Sequence, residues 1–458
     1  MRFPVVLLLF GMLVVPVLRA ESIRISGFVT SAVSSTDFDV NAVPFRCGKA
    51  TRIVVLIRGR KKYTVTHGCP KKALYIGEPV RVEGSYVKKL RFFRAQTIVF
   101  PGEDRGEIHG AAVIDALPAS QAAASGNLLV RADGYHILIT SKTQLVWDPP
   151  LHSLAEVKAG DWISYVGQQR ADGIVVAEEA RLTQLTVSKG EQKFRKKSNY
   201  NPSKVPASAK QNPWQRAFIG VDYKKIPPAT NPAMQARVTA IGEKLIPAFE
   251  RGLPKSDPAR IHFRFQIINR KQLRYAVGLP SGVILVPVQV VERLQNNSQL
   301  AAVLAESIAE VVERQAYRAL PAERATTAAV AVADAFVPDV GLAAPLLAGY
   351  GANGVIGKKE EDQGGRVALD LMHDAGYEVD QAPVAWWLLA PKKPKPIAEI
   401  ALPHFAAYLY RILGENWNNP RAVSASRQNW RPVWVTRAGR MCHTQRTNRN
   451  RQKSNARC

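Results

Sequence analysis

The sequence predicts a multidomain chain, two small antiparallel β-barrel units followed by a mostly helical α+β domain. Three observations carry that prediction. Residues 22–187 alternate apolar and polar, with turn residues every eight to twelve positions, as short half-buried strands do. An internal repeat runs through the stretch, because Gly27, Gly77 and Gly84 recur as Gly110, Gly160 and Gly167, each 83 positions on. Beyond Asn231 the apolar residues move to helical spacing.

Composition narrows the field. A length of 458 residues allows about three domains at roughly 150 residues each. An apolar fraction of 46% with 22% charged residues excludes a wholly disordered chain, and 31 Gly, 30 Pro and 4 Cys exclude collagen-like, solenoid and disulfide-scaffold classes. After residue 20 no apolar run reaches the roughly 20 residues that span a bilayer; the best stretch, 328–347, is broken by Asp334 and Asp339. The net charge of +26 is concentrated: 189–225 holds ten basic and two acidic residues, and 427–458 nine basic and none acidic. The remaining 389 residues carry only +9.

Residues 1–20 place one early cation, Arg2, ahead of an apolar stretch from Val5 to Leu18, the layout of a secretory signal. Export is therefore expected, to the periplasm or beyond, with an uncleaved N-terminal anchor as the alternative because Leu18 fits a cleavage site poorly. In an oxidising compartment Cys47 and Cys69, 22 apart within one β unit, favour a disulfide over two buried thiols. Closing such a loop is worth roughly 3 kcal/mol. With only His67 nearby the pair falls short of a four-ligand zinc set.

The two β units span 22–103 and 106–187, with GEPVRVEG of the first aligned to GDWISYVG of the second. Each is read as a turn glycine feeding a strand whose alternate residues fill a small barrel. The pair resembles a small bacterial β-barrel module of unassigned function that appears in exported proteins, a resemblance that implies no catalytic residues. Barrels of this kind bind ligands or anionic polymers where cations and aromatics converge. Lys88–Arg94, KKLRFFR, supplies both; the competing reading is an edge strand guarded by lysines. Export argues against nucleic acid as a partner. Residues 188–228, rich in Lys, Ser, Asn and Pro, are expected to form a basic flexible linker, and contact with an anionic membrane surface is a further expectation. The tail 427–458, poor in aliphatics, is expected to be disordered.

The helical domain is expected over 229–420. It opens with AMQARVTAIGEKLIPAFE, continues with strands around HFRFQIIN and GVILVPVQVV, and then with the long helix SQLAAVLAESIAEVVERQAYRAL. The run Tyr275–Gln315 resembles the HtpX/BepA-type zinc metallopeptidases, in which an apolar hairpin containing Leu-Pro-x-Gly precedes a helix that opens Leu-Ala-x-Val-Leu-Ala and leads into His-Glu-x-x-His. Downstream, EEDQGGRVALDLMHDAGYEVD matches that family's second helix, which supplies a glutamate ligand and ends in Ala-Gly-Tyr, here Ala375-Gly376-Tyr377. The resemblance implies a metallopeptidase-like α+β fold.

The chemistry departs from that pattern. Glu306 stands at the first histidine ligand position, Ser307 at the general-base position and Glu310 at the second histidine position. Glu361 matches the family's glutamate ligand, and Gly365 replaces an orienting aspartate. Three carboxylates on a dication weaken its power to acidify water, and a serine hydroxyl has no useful basicity near neutral pH. No intact catalytic residue is therefore expected, an inactive domain is favoured and no cofactor is required, although zinc or another divalent cation follows from the resemblance. Glu306, Glu310 and Glu361 could offer oxygen ligands to Ca²⁺, Mg²⁺ or Mn²⁺. Alternatively Glu306, Glu310 and Glu313 form a solvated acidic helix face. Trp386-Trp387 and His404 are expected in the core. The functional expectation is a non-enzymatic exported protein that binds polypeptide or assists envelope assembly. An active metalloendopeptidase with a carboxylate site and an anionic-polymer binder are the alternatives.

Overall fold

The computed structural model describes residues 22–56, 63–72, 74–87, 90–101, 106–118, 127–201, 228–271, 273–318, 358–390 and 403–418, with the side chains of 358–361 left aside. The expected signal segment, most of the expected linker and the basic tail lie outside the described residues.

The first unit contains β1 (Ser22–Ala32), β2 (Asp37–Val40), β3 (Val43–Arg46), β4 (Arg52–Leu56), β5 (Tyr63–His67), β6 (Pro79–Val87) and β7 (Phe92–Phe100). Its ladder runs β3-β2-β1-β6-β7, and β3 pairs back onto β7 to close a five-stranded barrel, with β4 and β5 continuing the sheet outside the ring. The second unit repeats the plan with β8 (Glu107–Ala116), β9 (Leu128–Ala132), β10 (Tyr135–Ile139), β11 (Gln144–Asp148), β12 (Trp162–Gln169) and β13 (Val175–Thr183). Its order is β10-β9-β8-β12-β13, closed by β10 on β13, with β11 outside. Inward residues of each strand fill the rings, among them Val29, Val82 and Ile98 in the first and Ile114, Ile137 and Ile163 in the second.

The expectation of purely antiparallel sheets is corrected: β3–β7, β4–β7, β10–β13 and β11–β13 are parallel pairs. A chain that leaves the ring as a meander and re-enters from its other side brings the third and last ring strands together pointing the same way. The repeated glycines do equivalent work. Gly77 and Gly160 adopt φ of 91° and 98°, conformations that a side chain strains, in the turns before β6 and β12. Gly84 and Gly167 both sit at a register shift in those strands. Gly27 and Gly110 leave room for a hairpin-tip residue, Asn41 in one unit and Asp133 in the other, and a Cβ at either glycine would collide with that side chain.

Cys47 and Cys69 are disulfide bonded, with Cα atoms 5.5 Å apart. Both readings of KKLRFFR are corrected. Phe92 and Phe93 are buried, so their rings do not contribute to an open face, and β7 lies between β6 and β4 and is no edge strand.

The C-terminal region holds α1 (Lys189–Lys197), α2 (Pro232–Leu245), α3 (Ala248–Gly252), β14 (Arg264–Ile268), β15 (Val277–Gly278), β16 (Val283–Pro287), α4 (Val288–Arg293), α5 (Asn297–Val312), α6 (Gln315–Arg318), α7 (Lys358–Asp374), α8 (Gln381–Leu389) and α9 (His404–Ile412), which runs into a π-helical turn at Leu413–Trp417. The small sheet has the order β14-β16-β15, and Leu279–Gly282 forms the turn between β15 and β16, with Gly282 at φ 89°. Helix α5 starts where the Asn296 side chain accepts a hydrogen bond from the Gln299 amide at 2.8 Å. Helix α7 ends at Gly376, φ 72°, with the Tyr377 amide donating to the Met372 carbonyl at 2.8 Å, a left-handed cap that closes the last turn. One apolar core joins α2, α5, α7, α8 and α9.

Three further expectations change here. Helix α1 occupies the start of the expected flexible linker, because Phe194 and Tyr200 enter a core shared with Leu279, Leu285 and Ala316. The expected solvated acidic face of Glu306, Glu310 and Glu313 is corrected: Glu306 is 9% exposed, Glu313 at the C-cap of α5 1%, and Glu310 is half-buried. The helix is central, enclosed by α2, α7 and α8. Trp386 joins the core as expected, whereas Trp387 and His404 are exposed.

Candidate functional site

The positions singled out by sequence converge where α5 meets α7. Glu306 and Glu310 lie one turn apart, and a Cβ built on Gly364 would stand 3.7 Å from the Cγ of each, so both stems lean on the same point of α7. Ser307, 4% exposed, sits between them in sequence, and its carbonyl packs under Gly278 of β15. Glu361 belongs to the first turn of α7, but its side chain lies outside the described residues. At Gly365 a Cβ would meet Phe405 at 2.9 Å and Leu409 at 3.1 Å. Helix α9 thus fills the space that a side chain at this position would need.

Helix α1 closes the neighbouring approach. Ser188 caps it, accepting from the Glu191 amide at 3.1 Å. Glu191, buried beneath the helix, accepts from Arg195 Nη2 at 2.8 Å and from Arg314 Nε at 2.9 Å. Phe194 packs against Tyr317, and Arg195 donates to the Ala259 carbonyl at 2.9 Å. Burial lowers the affinity of Arg195 and Arg314 for their protons, with Glu250 opposing the shift at Arg195 and Tyr317 opposing it at Arg314. What remains between α1, Pro280 and Glu310 is a crevice of about 10 Å³, room for no more than one water.

The opposite flank of α5 and α7 is taken by the second barrel. The tip of the β9–β10 hairpin, Asp133-Gly134, has φ of 58° and 69°, the two left-handed residues of a type I′ turn. Gly134 packs directly on Arg366, where any Cβ would clash. Arg366 Nε donates to the Asp133 carbonyl at 2.8 Å, Nη2 to Asp133 Oδ1, and Nη1 to the Tyr408 hydroxyl at 2.7 Å. Tyr165 OH donates to Asp133 Oδ2 at 2.9 Å, and Gln363 Nε2 donates to Asp133 Oδ1 at 3.1 Å and to the Ala111 carbonyl at 2.9 Å. The Val113 amide donates to Glu313 Oε2 at 3.1 Å.

A second charged node lies beside it. Arg131 Nε donates to Asp115 Oδ1 at 2.8 Å, and its Nη1 and Nη2 grip both oxygens of Asp374. Asp370 Oδ2 is 3.8 Å from the same guanidinium. Burial pushes the Asp115 carboxyl up to about 6, and Asp370 and Glu313 well above the usual carboxylate range. Burial also presses on Asp374, but hydrogen bonds from His373 and Arg131 overcome it and hold that carboxyl well below its ordinary value. His136 is half-buried, and desolvation together with the nearby Arg131 charge depresses it to about 4.

Of these docking residues the sequence singles out only Glu313, and that as part of a solvated face, although two signals for the others were present. Asp-Gly stands between the alternating runs LLVRA and YHILI, a strong hairpin mark. Gln363, Arg366, Asp370 and Asp374 follow one another at helical spacing and form a polar stripe, which without a partner in view looks like a solvated face.

The donor set at the positions singled out by the sequence resemblance does not fit a hydrolytic zinc site. It offers carboxylates and no imidazole, and Ser307 cannot take a proton from water. Among the described residues no group of three or more His, Cys, Asp or Glu side chains is placed to hold a metal ion. No described helix is long and apolar enough to cross a membrane. A scan against models of known protein families finds no match to this chain, and a search among curated proteins finds no similar sequence.

Proposed function

We propose that this chain is an exported, non-catalytic assembly factor of the cell envelope, whose metallopeptidase-like helical region has become a scaffold for the two barrels. One observation carries the reading: the helices that would bear the metal ligands are enclosed, α5 and α7 by the second barrel on one flank and α5 by α1 on another. A peptidase needs an open cleft along these elements and a base in contact with water. Here Ser307 replaces the base and is buried. Polypeptide partners are then engaged by outward surfaces and not by the former cleft.

The test is direct. Purified protein is assayed for casein cleavage and for metal by elemental analysis, with Glu361→Ala and a chelator-treated sample alongside. No cleavage and far less than one metal per chain are expected in all three. Cleavage abolished both by Glu361→Ala and by chelation would overturn the proposal in favour of a carboxylate-site peptidase.

A further inference from the structure

The two barrel units match strand for strand as far as one edge. In the first, β4 runs parallel to β7 with Arg52 opposite Thr97, Ile53 opposite Ile98 and Val54 opposite Val99. In the second, β11 runs parallel to β13 with Gln144 opposite Glu179, Leu145 opposite Ala180 and Val146 opposite Arg181. A buried threonine anchors each strand: Thr51 Oγ1 donates to the Ala95 carbonyl at 2.7 Å, and Thr143 Oγ1 to the Ala177 carbonyl at 2.8 Å. Val54 therefore corresponds to Val146. Beyond these strands the units differ. Strand β5 lies antiparallel on β4, with Val65 opposite Val54, whereas β11 ends its sheet and no described strand pairs with its far side. Exposure records the difference, 9% at Val54 and 53% at Val146.

The open edge is ready to pair. The Gly68 amide donates to the Thr51 carbonyl at 2.9 Å, so the alternate residues Ile53 and Val55 also turn their backbone groups toward β5. By the same alternation Leu145 and Trp147 turn theirs to the open side of β11. Gln144–Asp148 contains none of the usual edge guards, neither lysine nor proline nor bulge, and its one charge, Asp148, is held by Arg181 and Thr183. Beside the edge, on the outer face of the sheet, lies a hollow of about 400 Å³ lined by Gln144, Val146, Ser164, Val166, Glu179 and Arg181, among others. An added strand would aim every second side chain at that face.

We infer that β11 is a docking edge on which an extended segment of a partner polypeptide adds as an antiparallel strand, standing to β11 as β5 stands to β4, with an apolar side chain opposite Val146. Main-chain hydrogen bonds to Leu145 and Trp147 supply affinity, and the side chains that meet Val146 and the hollow supply selectivity. The residue opposite Val146 belongs to a non-hydrogen-bonded pair, in which side chains approach most closely. A second copy of the chain suits the edge less well, since two five-residue strands bury far less than the roughly 1,200 Å² of a stable dimer. That the added strand comes from a partner polypeptide rests on the assembly-factor reading; the match between β4 and β11 does not.

The probe is a fluorescein-labelled peptide that carries the β5 sequence YTVTH between serine ends, titrated with the full chain and read by fluorescence anisotropy. Binding is expected. N-methylation of the two threonines, Thr64 and Thr66 in β5, removes the amides that would face β11 and is expected to weaken binding at least about tenfold. N-methylation of the valine and histidine, Val65 and His67 in β5, blocks only amides that face away and is expected to leave binding within about twofold. Val146→Asp is expected to weaken binding about tenfold or more and Val146→Ile to bind as wild type does, with thermal unfolding of each variant reporting an intact barrel. No binding up to about 1 mM, or equal loss with either methylated peptide, would overturn the inference. So would Val146→Asp binding as wild type does, which would put the peptide on the open edge of β5. A dimer in sedimentation equilibrium that Val146→Asp dissociates would likewise overturn it, by putting a second copy on the edge. Casein cleavage or bound metal would overturn the assembly-factor reading alone and leave these peptide results where they stand.

Discussion

Truncating Arg366 to alanine is expected to destabilise the joint between the second barrel and α7 by about 4 kcal/mol. The figure follows from what the guanidinium holds. It places three donors on Asp133 and Tyr408 and lies 4.9 Å over the Tyr135 ring. Asp133 is 2% exposed, so without Arg366 its carboxylate keeps only Tyr165 and Gln363 as donors in a place water does not reach. Breaking a buried pair from one side costs roughly 3–5 kcal/mol because the surviving charge is stranded, and the lost cation–π contact adds up to about 1. Equilibrium urea unfolding gives the size of the effect, and hydrogen exchange across β9, β10 and α7 gives its place. The decisive comparison is Asp133→Asn with Arg366→Ala, which removes the stranded charge and is expected to recover at least about 1 kcal/mol relative to Arg366→Ala alone. A loss below about 1 kcal/mol in the single variant, or strict additivity in the double, would refute the reasoning.

Other expectations follow from the same physical terms. Burial pushes Glu78 and Glu250 up to about 7 from an ordinary 4.5, so between those values the folded chain binds more protons than the unfolded one, and stability falls as pH rises through 7. The melting temperature is expected to drop between pH 5 and pH 8, and Glu250→Gln to remove a part of that drop worth up to about 3 kcal/mol. Asp374 works in the opposite sense, its stabilisation being present above the ordinary carboxylate range and lost only in strong acid. Replacing Cys47 and Cys69 by serine frees a loop of 22 residues and is expected to cost about 3 kcal/mol in urea unfolding under non-reducing conditions. Gly77→Ala strains a φ of 91° and drives a methyl into the backbone at Tyr410 and Gly414, so it should lower stability by more than about 1 kcal/mol, whereas Gly48→Ala, with nothing within 4 Å, should be tolerated.

Local signals in the sequence carried further than long-range ones. Strand alternation located the barrels, glycine spacing located their turns, and the expectation of an oxidising compartment pointed to the pairing of Cys47 with Cys69. Closure of each ring was hidden, because β3 on β7 is a pairing between distant segments that no period encodes. The start of the linker misled for a related reason: a run dominated by Lys and Arg docks through just Phe194, Tyr200 and one buried glutamate, Glu191. The acidic helix face misled most. Glu313 and Asp370 sit at spacings that suit solvent, and their burial depends on partners such as Val113 and Arg131, some 200 residues earlier in the chain. Charge burial is a property of pairs, and a pair is invisible until the fold brings it together.

The duplicated barrels raise a sorting problem during folding. Two modules of one shape, joined by a few residues, could each be presented to the helices, and misdocking between like modules is a characteristic failure of repeat proteins. The hairpin tip answers it with two residues, Asn41-Ala42 in one unit and Asp133-Gly134 in the other. Asn41 turns inward on its own unit, accepting from the Phe28 amide at 3.1 Å, while Asp133 at the matching place offers Arg366 a carboxylate. An amide in that position would leave the guanidinium desolvated and without a counter-charge, and the Ala42 methyl would meet Arg366 where Gly134 leaves room, so the wrong module is rejected by charge and by shape. A difference of two neighbouring residues at one hairpin tip thus gives two copies of one shape separate addresses.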